Sequence, residues 1–147
     1  MNTRDLVADA GLKTMNLTHQ VILRLTGGRV LSSAFGMPAV MLETTGRKSG
    51  LARRTMLTAP VVDGDRVVLV ASKGGDHRDP DWYQNLVADP NVTVTIRGHA
   101  RHMRARVASS AEKAELWPRI VGAYRGYAGY QRRTTRDIPV VICEPSD

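Results

Sequence analysis

Thiol chemistry is almost absent from this chain: it holds a single cysteine, Cys143. One sulfur excludes an internal disulfide and any cysteine-based zinc site. Cys143 ends the apolar run Ile138-Pro139-Val140-Val141-Ile142-Cys143, which reads as a buried strand, so it is taken as packing. A reducing, cytoplasmic setting fits such cysteine usage. Aromatic residues are equally sparse, at 5%, and four of them are tyrosines. No apolar run is long enough to cross a bilayer, and no compact apolar segment with a cleavage site follows the first basic residue, so the N-terminus is not read as a signal peptide. The P-loop spacing is missing, no G-x-G-x-x-G follows a strand, and there is no G-x-S-x-G nucleophile elbow. His19, His77, His99 and His102 form no H-E-x-x-H or comparable ligand spacing, so a metal centre is not expected. Acidic residues are outnumbered: 14 Asp and Glu face 21 Lys and Arg, a formal charge of +7. That balance favours an anionic partner.

What the chain does contain is concentrated in one stretch, Thr44-Thr45-Gly46-Arg47-Lys48-Ser49-Gly50-Leu51-Ala52-Arg53-Arg54. Two glycines, four cations and three hydroxyls fall within eleven residues. Glycine lets backbone N–H groups turn toward a ligand, and clustered cations supply counter-charge. The stretch suits an anion with several phosphate or carboxylate groups, and it also reads as a solvated charged turn. A second glycine-basic loop, Ser72-Lys73-Gly74-Gly75, favours the binding reading.

A length of 147 residues fits one domain with a real core. Residues 3–25 read as an amphipathic helix carrying Leu6, Ala10, Leu17, Val21 and Leu25 at helical spacing. It would dock on its own domain or on a second subunit of a homodimer, with peripheral membrane contact as the alternative. Segment 1–28 is therefore set apart from a single domain over 29–147. Within that domain the pattern is mainly β with helices. Strands are expected at Ala39–Glu43, at Thr55–Val62 with Pro60 marking an edge or bulge, and at Arg66–Ser72 after the Asp63-Gly64-Asp65 turn. A helix over Asp81–Ala88, with Asp81 as its cap, ends at Asp89-Pro90. Val92–Ile96 and Met103–Val107 alternate as paired strands about a Gly98-His99 turn. Ser109 or Ser110 caps a helix running to Gly122–Tyr124, and residues 138–143 form a sixth strand. Hairpin-linked strands argue for a small six-stranded antiparallel barrel rather than a βαβ sheet.

Tyr124, Tyr127 and Tyr130 recur at a spacing of three, which puts them on one side of a helix or extended turn. Gly122, Gly126 and Gly129 interrupt that segment, so a rigid helix is not expected. The segment reads either as a mobile, tyrosine-lined lid over an apolar ligand or as tyrosines snorkelling at a core edge. The aromatics are not interleaved with basic strands, so nucleic acid is not expected as a partner.

Taken together, Thr44–Gly50, Ala71–Gly75, Pro80-Asp81-Trp82-Tyr83-Gln84-Asn85-Leu86 with Asp89-Pro90, Trp117-Pro118, the tyrosine trio, and Ile138-Pro139 through Cys143-Glu144-Pro145 form a specific signature. Residues 40–145 resemble the deazaflavin (coenzyme F420)-dependent nitroreductase and quinone reductase family of actinobacteria. The resemblance implies a split β-barrel of the flavin-reductase-like kind and noncovalent binding of F420, whose phosphodiester and polyglutamate tail are anionic. It implies that Arg47, Lys48, Ser49, Arg53 and Lys73 hold the phosphate and tail. Thr55, Met56, Ala71, Ser72, Gly74, Gly75, Trp82 and Asn85 would lie along the cofactor, and Tyr124, Tyr127 and Tyr130 would line the acceptor pocket. The implied reaction is hydride transfer from reduced F420 to a small-molecule electron acceptor, with Tyr130 or Ser72 donating a hydrogen bond or proton. Thr58 stands where the nitroimidazole-activating member has a tyrosine, which leaves quinones, nitroaromatics and unsaturated lactones open as acceptors. FMN is the rival cofactor, although one terminal phosphate does not require so many cations. A carrier that binds F420 or FMN without turnover is the other alternative.

Overall fold

The computed structural model describes residues 33, 34 and 36–146. The helix expected over 3–25, and with it the segment 1–28, lies outside the described residues. Eight strands and three helices follow in chain order: β1 (Ser33–Ala34), β2 (Met37–Thr45), β3 (Ala52–Thr58), β4 (Val61–Asp63), β5 (Arg66–Val70), α1 (Asp81–Ala88), β6 (Asn91–Ile96), β7 (His99–Val107), α2 (Ser110–Ala123), α3 (Gly126–Arg133) and β8 (Val140–Pro145). All pairings are antiparallel. The sheet runs β1-β2-β6-β7-β8-β5-β4, with β3 on the other edge of β2. The expectation of a mainly antiparallel β domain with helices holds. The count of six strands does not: the described residues form eight, and the pairing path stays open between β3 and β4.

The difference has local causes. Pro60 offers no N–H to a ladder, so the strand expected over Thr55–Val62 breaks at Ala59-Pro60 into β3 and β4. β3 stays with β2, while β4 turns to pair with β5. β2 extends to Thr45 through polar threonines that an apolar pattern does not reveal, and Thr44 is buried there. The turn between β6 and β7 is Arg97-Gly98 rather than Gly98-His99. Both residues have positive φ, +52° and +80°, and Ile96 pairs directly with His99. That is the two-residue hairpin whose twist matches the flanking strands. α1 has the expected span, but its N-cap is Pro80 and no side chain caps it. In α2, Ser109 and Glu112 form a reciprocal capping box, as the sequence suggested for Ser109.

Alternation along β5 and β8 divides the core in two. Val67, Leu69, Ala71, Val141 and Cys143 join Val40, Leu42, Val92, Val94, Met103 and Ala105 on one side, capped by Trp82 and Leu86 of α1. Val68, Val70, Val140 and Ile142 join Met37 on the other, covered by Leu116 and Ile120 of α2 and Tyr127 of α3. Cys143 is fully buried, and burial pushes its thiol up to about 12, so it is inert packing. The basic loop ends on the α1 side and the tyrosines on the α3 side.

Candidate functional site

The basic stretch is the tip of the β2–β3 hairpin. Thr45 pairs with Ala52, Thr44 with Arg53, and Glu43 with Arg54, so residues 46–51 form the turn. The Gly46 N–H donates to the Leu51 carbonyl and the Gly50 N–H to the Gly46 carbonyl, each at 2.8 Å. One buried side chain ties this tip to α1. The Asn85 Oδ1 accepts from the Arg47 backbone N–H at 3.2 Å and from Arg47 Nη1 at 2.9 Å, while Asn85 Nδ2 donates to Thr44 Oγ1 at 3.3 Å. Arg47 also reaches Asp81 at 3.4 Å. Arg54 is paired with Glu43 at 2.9 Å. Lys48 and Arg53 have no carboxylate partner among the described residues, and Arg53 only touches Ser49 Oγ at 3.4 Å.

Between hairpin and helix lies an open groove of about 840 Å³, lined by Gly46, Arg47, Lys48, Ser49, Ala52, Arg53, Arg54, Thr55, Asp81, Trp82 and Asn85. Four cations face one carboxylate in that lining, which makes it a positive cleft beside an aromatic wall. Asn85 organises the cleft from beneath, so Asn85→Ala is expected to destabilise the fold by about 1–3 kcal/mol. It leaves the Thr44 hydroxyl and the Arg47 N–H without their partner. Urea unfolding reads the loss, and faster amide exchange confined to residues 46–51 distinguishes it from general loosening.

A second cluster sits at the other end of β3. Thr58 Oγ1 lies 3.3 Å from Tyr127 Oη, and the three tyrosine rings pack edge-on with centroids 5.4, 6.1 and 6.3 Å apart. Tyr127 is buried with its hydroxyl against Met37 Sδ, while Tyr124 and Tyr130 are half-buried and their hydroxyls meet at 3.5 Å. The hydrogen bond with Tyr124, and then burial, raise the Tyr130 phenol to about 12. Burial raises Tyr127. Contrary to expectation, the glycine-interrupted segment is helical: α2 ends at Ala123, Tyr124 occupies the break, and α3 carries Tyr127 and Tyr130. Packing offsets the weak helix propensity of the glycines. A Cβ on Gly126 would lie 2.5 Å from the Tyr124 ring, so this glycine is what lets that ring fold over the helix start.

Ser72–Gly75 abuts α3. Lys73, Gly74 and Gly75 all have positive φ, +45°, +63° and +82°, a tight left-handed run. Gly75 lies against the Tyr130 backbone, where a Cβ would come 2.9 Å from the carbonyl oxygen. The carbonyls of Ala71 and Ser72 both accept from Arg136.

The comparisons with known proteins bear on this arrangement. A family model described as F420H(2)-dependent quinone reductase matches residues 15–145. The chain belongs to the F420H(2)-dependent quinone reductase family. It is 39% identical to an F420H(2)-dependent quinone reductase of Mycobacterium tuberculosis over 145 residues, 95% of each chain. A solved F420-H2 dependent reductase (FDR-A) is 41% identical, with a TM-score of 0.67 over 73% of this chain and 94% of that one. A solved domain-swapped dimer is 35% identical, with a TM-score of 0.68 over 85% of this chain and 98% of that one.

Within this family member, the sequence-predicted residues fall into two groups. Arg47, Lys48, Ser49, Arg53, Thr55, Trp82 and Asn85 share the groove. Met56, Ala71, Ser72, Lys73, Gly74, Gly75 and the tyrosines do not line it. β3 joins the groups. From Arg53 to Thr58 an extended strand covers about 17 Å. Sequence reasoning missed Thr44, which holds Asn85, and Arg136, which holds the second loop. Neither carries a local signal. Thr44 is one of several hydroxyls in the basic stretch, and Arg136 is one of three arginines in a row of polar residues after Tyr130.

Proposed function

We propose that the positive groove and the tyrosine cluster are the two ends of one site, in which this chain uses F420 to reduce a small electrophilic acceptor. As a member of its family the chain is an F420H2-dependent oxidoreductase. The observation that supports the site assignment is the donor set of the groove. Arg47, Lys48 and Arg53, beside the hairpin turn, fit the phosphodiester and polyglutamate tail of F420. The chemistry F420 supplies when bound is hydride transfer from C5 of its reduced ring system. This chain's part is binding, orientation and exclusion of water. Lys48 and Arg53 hold the tail by charge, with Ser49 and Lys73 as further donors. Thr55, Met56, Ala71, Ser72, Gly74, Gly75 and Trp82 flank the rings, and Asn85 fixes the hairpin that carries the cations. The open sheet is read as a split β-barrel, with residues 1–28 as a separate N-terminal segment. A homodimer is proposed from the domain-swapped relative. Peripheral membrane contact through residues 3–25 is the alternative use of that segment.

Titration of the purified chain by deazaflavin fluorescence, with FMN in parallel, tests the cofactor. Tight F420 binding supports the reading. Preference for FMN overturns the assigned chemistry, and binding of neither overturns the site.

Tyr130 is assigned the hydrogen bond to the acceptor. A phenol held at about 12 is a poor source of a full proton at neutral pH but a competent O–H donor to developing negative charge. Tyr130→Phe is therefore expected to lower kcat about 10- to 100-fold with F420 affinity unchanged. The wild-type rate should show no ionisation limb from Tyr130 below about pH 10, because its raised phenol keeps its proton throughout that range. Unchanged turnover in the phenylalanine variant would remove Tyr130 from the chemistry. Quinones are the first acceptors to assay, with nitroaromatics and unsaturated lactones alongside.

A further inference from the structure

We propose that Arg136 is a positioning residue that sets the Ser72–Gly75 turn against the tyrosine helix α3, and so fixes the distance between cofactor and acceptor positions. This deepens the F420 reading above and rests on it. Arg136 lies just after α3, six residues beyond Tyr130, with its side chain only 15% exposed. All three guanidinium nitrogens are engaged, and every acceptor belongs to the loop that leaves β5. Nη2 donates to the carbonyls of Ala71 at 3.1 Å and Ser72 at 2.9 Å, Nε to the carbonyl of Asp76 at 2.9 Å, and Nη1 to Asp79 Oδ1 at 2.9 Å. One rigid fork thus closes both ends of the loop around its three left-handed residues.

Lys73 is the one non-glycine among these three positive-φ residues, and a lysine at φ +45° stays in place only where its surroundings hold it. Within the loop, the Gly75 N–H donates to the Ser72 carbonyl, the Asp76 N–H to the Lys73 carbonyl, and the Arg78 backbone N–H and guanidinium to the Asp76 carboxylate, which closes the loop on itself. Arg136 adds four bonds from outside the loop. It satisfies two strand-end carbonyls that continue β5 and two acceptors at the loop's far end. Arg136 stands three residues beyond the end of α3 and its carbonyl accepts from Gln131 Nε2 of that helix at 2.8 Å, so the same residue couples the loop to the helix bearing Tyr127 and Tyr130. The fork geometry is what matters. A lysine keeps the charge, but as a single point donor it lacks the planar fork that spans acceptors at both ends of the loop.

The test uses the full chain as wild type, Arg136→Lys and Arg136→Ala. Amide hydrogen exchange is read without cofactor, and F420 affinity by fluorescence. Exchange over residues 73–79 is expected to rise about tenfold in both variants, with the β5 and β8 amides unchanged. F420 affinity is expected to fall about tenfold in both. Millimolar guanidinium ion should restore much of the affinity to Arg136→Ala but not to Arg136→Lys, whose side chain fills the space. An Arg136→Lys variant that matches wild type in loop exchange and affinity would overturn the proposal. So would exchange rising equally across β5 and β8, which marks general destabilisation. Wild type failing to bind F420 would overturn the functional reading alone, since the exchange experiment still decides whether Arg136 holds the loop.

Discussion

Lys48→Ala combined with Arg53→Ala is expected to weaken F420 binding about 100-fold while leaving the melting temperature within a degree or two of wild type. Each side chain can make a charge-assisted hydrogen bond to an anionic tail, worth about 1.5–3 kcal/mol when desolvated. The groove is open, so solvent screening argues for the lower end, about tenfold for each residue. Neither side chain has much to do in the free protein. Among the described residues Lys48 has no ion pair, and Arg53 has only a long contact with Ser49. Folding therefore should not notice their loss. The affinity of the wild type should also fall with added salt, and that dependence should flatten in the double variant. Arg101→Ala is the control: it removes a cation paired with Asp65 outside the groove and should leave affinity unchanged. Equal affinity in wild type and double variant would move the anionic tail elsewhere.

Gly75→Ala has the second large effect, and it acts on structure first. A non-glycine residue at φ +82° is strained by about 1–2 kcal/mol. The added Cβ would also lie 2.9 Å from the Tyr130 carbonyl oxygen, 3.1 Å from its Cα and 3.0 Å from Arg133 Cβ. Two of those neighbours are backbone and cannot rotate away, so α3 must shift. Together these argue for a loss of about 2–4 kcal/mol. Gly74→Ala is the matched comparison. It has the same left-handed backbone, at φ +63°, but nothing within 4 Å of the new methyl, so about 1 kcal/mol is expected. Urea unfolding of the pair separates backbone strain from collision. Because the collision is with α3, Gly75→Ala should also lower turnover more than Gly74→Ala. Equal losses in the two variants would mean that the loop and helix yield without resistance.

Much of the local structure around the candidate site was legible because its chemistry is local. The basic stretch reads as a turn of cations and glycines, and it is a hairpin tip. The Asp81–Ala88 helix, the Ser109 cap and the alternation of Val92, Val94, Met103 and Ala105 all follow from spacing that neighbouring residues impose on one another. The misreadings share a cause as well. β3 and β4 part at Pro60 because each finds a different partner strand, and a partner is not written in either segment. The tyrosine segment is helical despite its glycines because Tyr127 is buried against Met37 and Gly75 supports Tyr130. Propensity counts neither contact.

The sequence by itself therefore determined the charge, the hairpin that concentrates it, the alternation that divides the core in two, and membership of an F420-using family. The tertiary structure alone decided that Asn85 holds the hairpin instead of merely lining the groove. It also decided that the tyrosines pack edge-on at the far end of β3, and that Arg136 binds a loop 57 to 65 residues away. The physical reason is range. Turn chemistry and periodicity act over a few residues, whereas a hydrogen bond from a buried side chain depends on which distant carbonyl the packed chain brings within 3 Å.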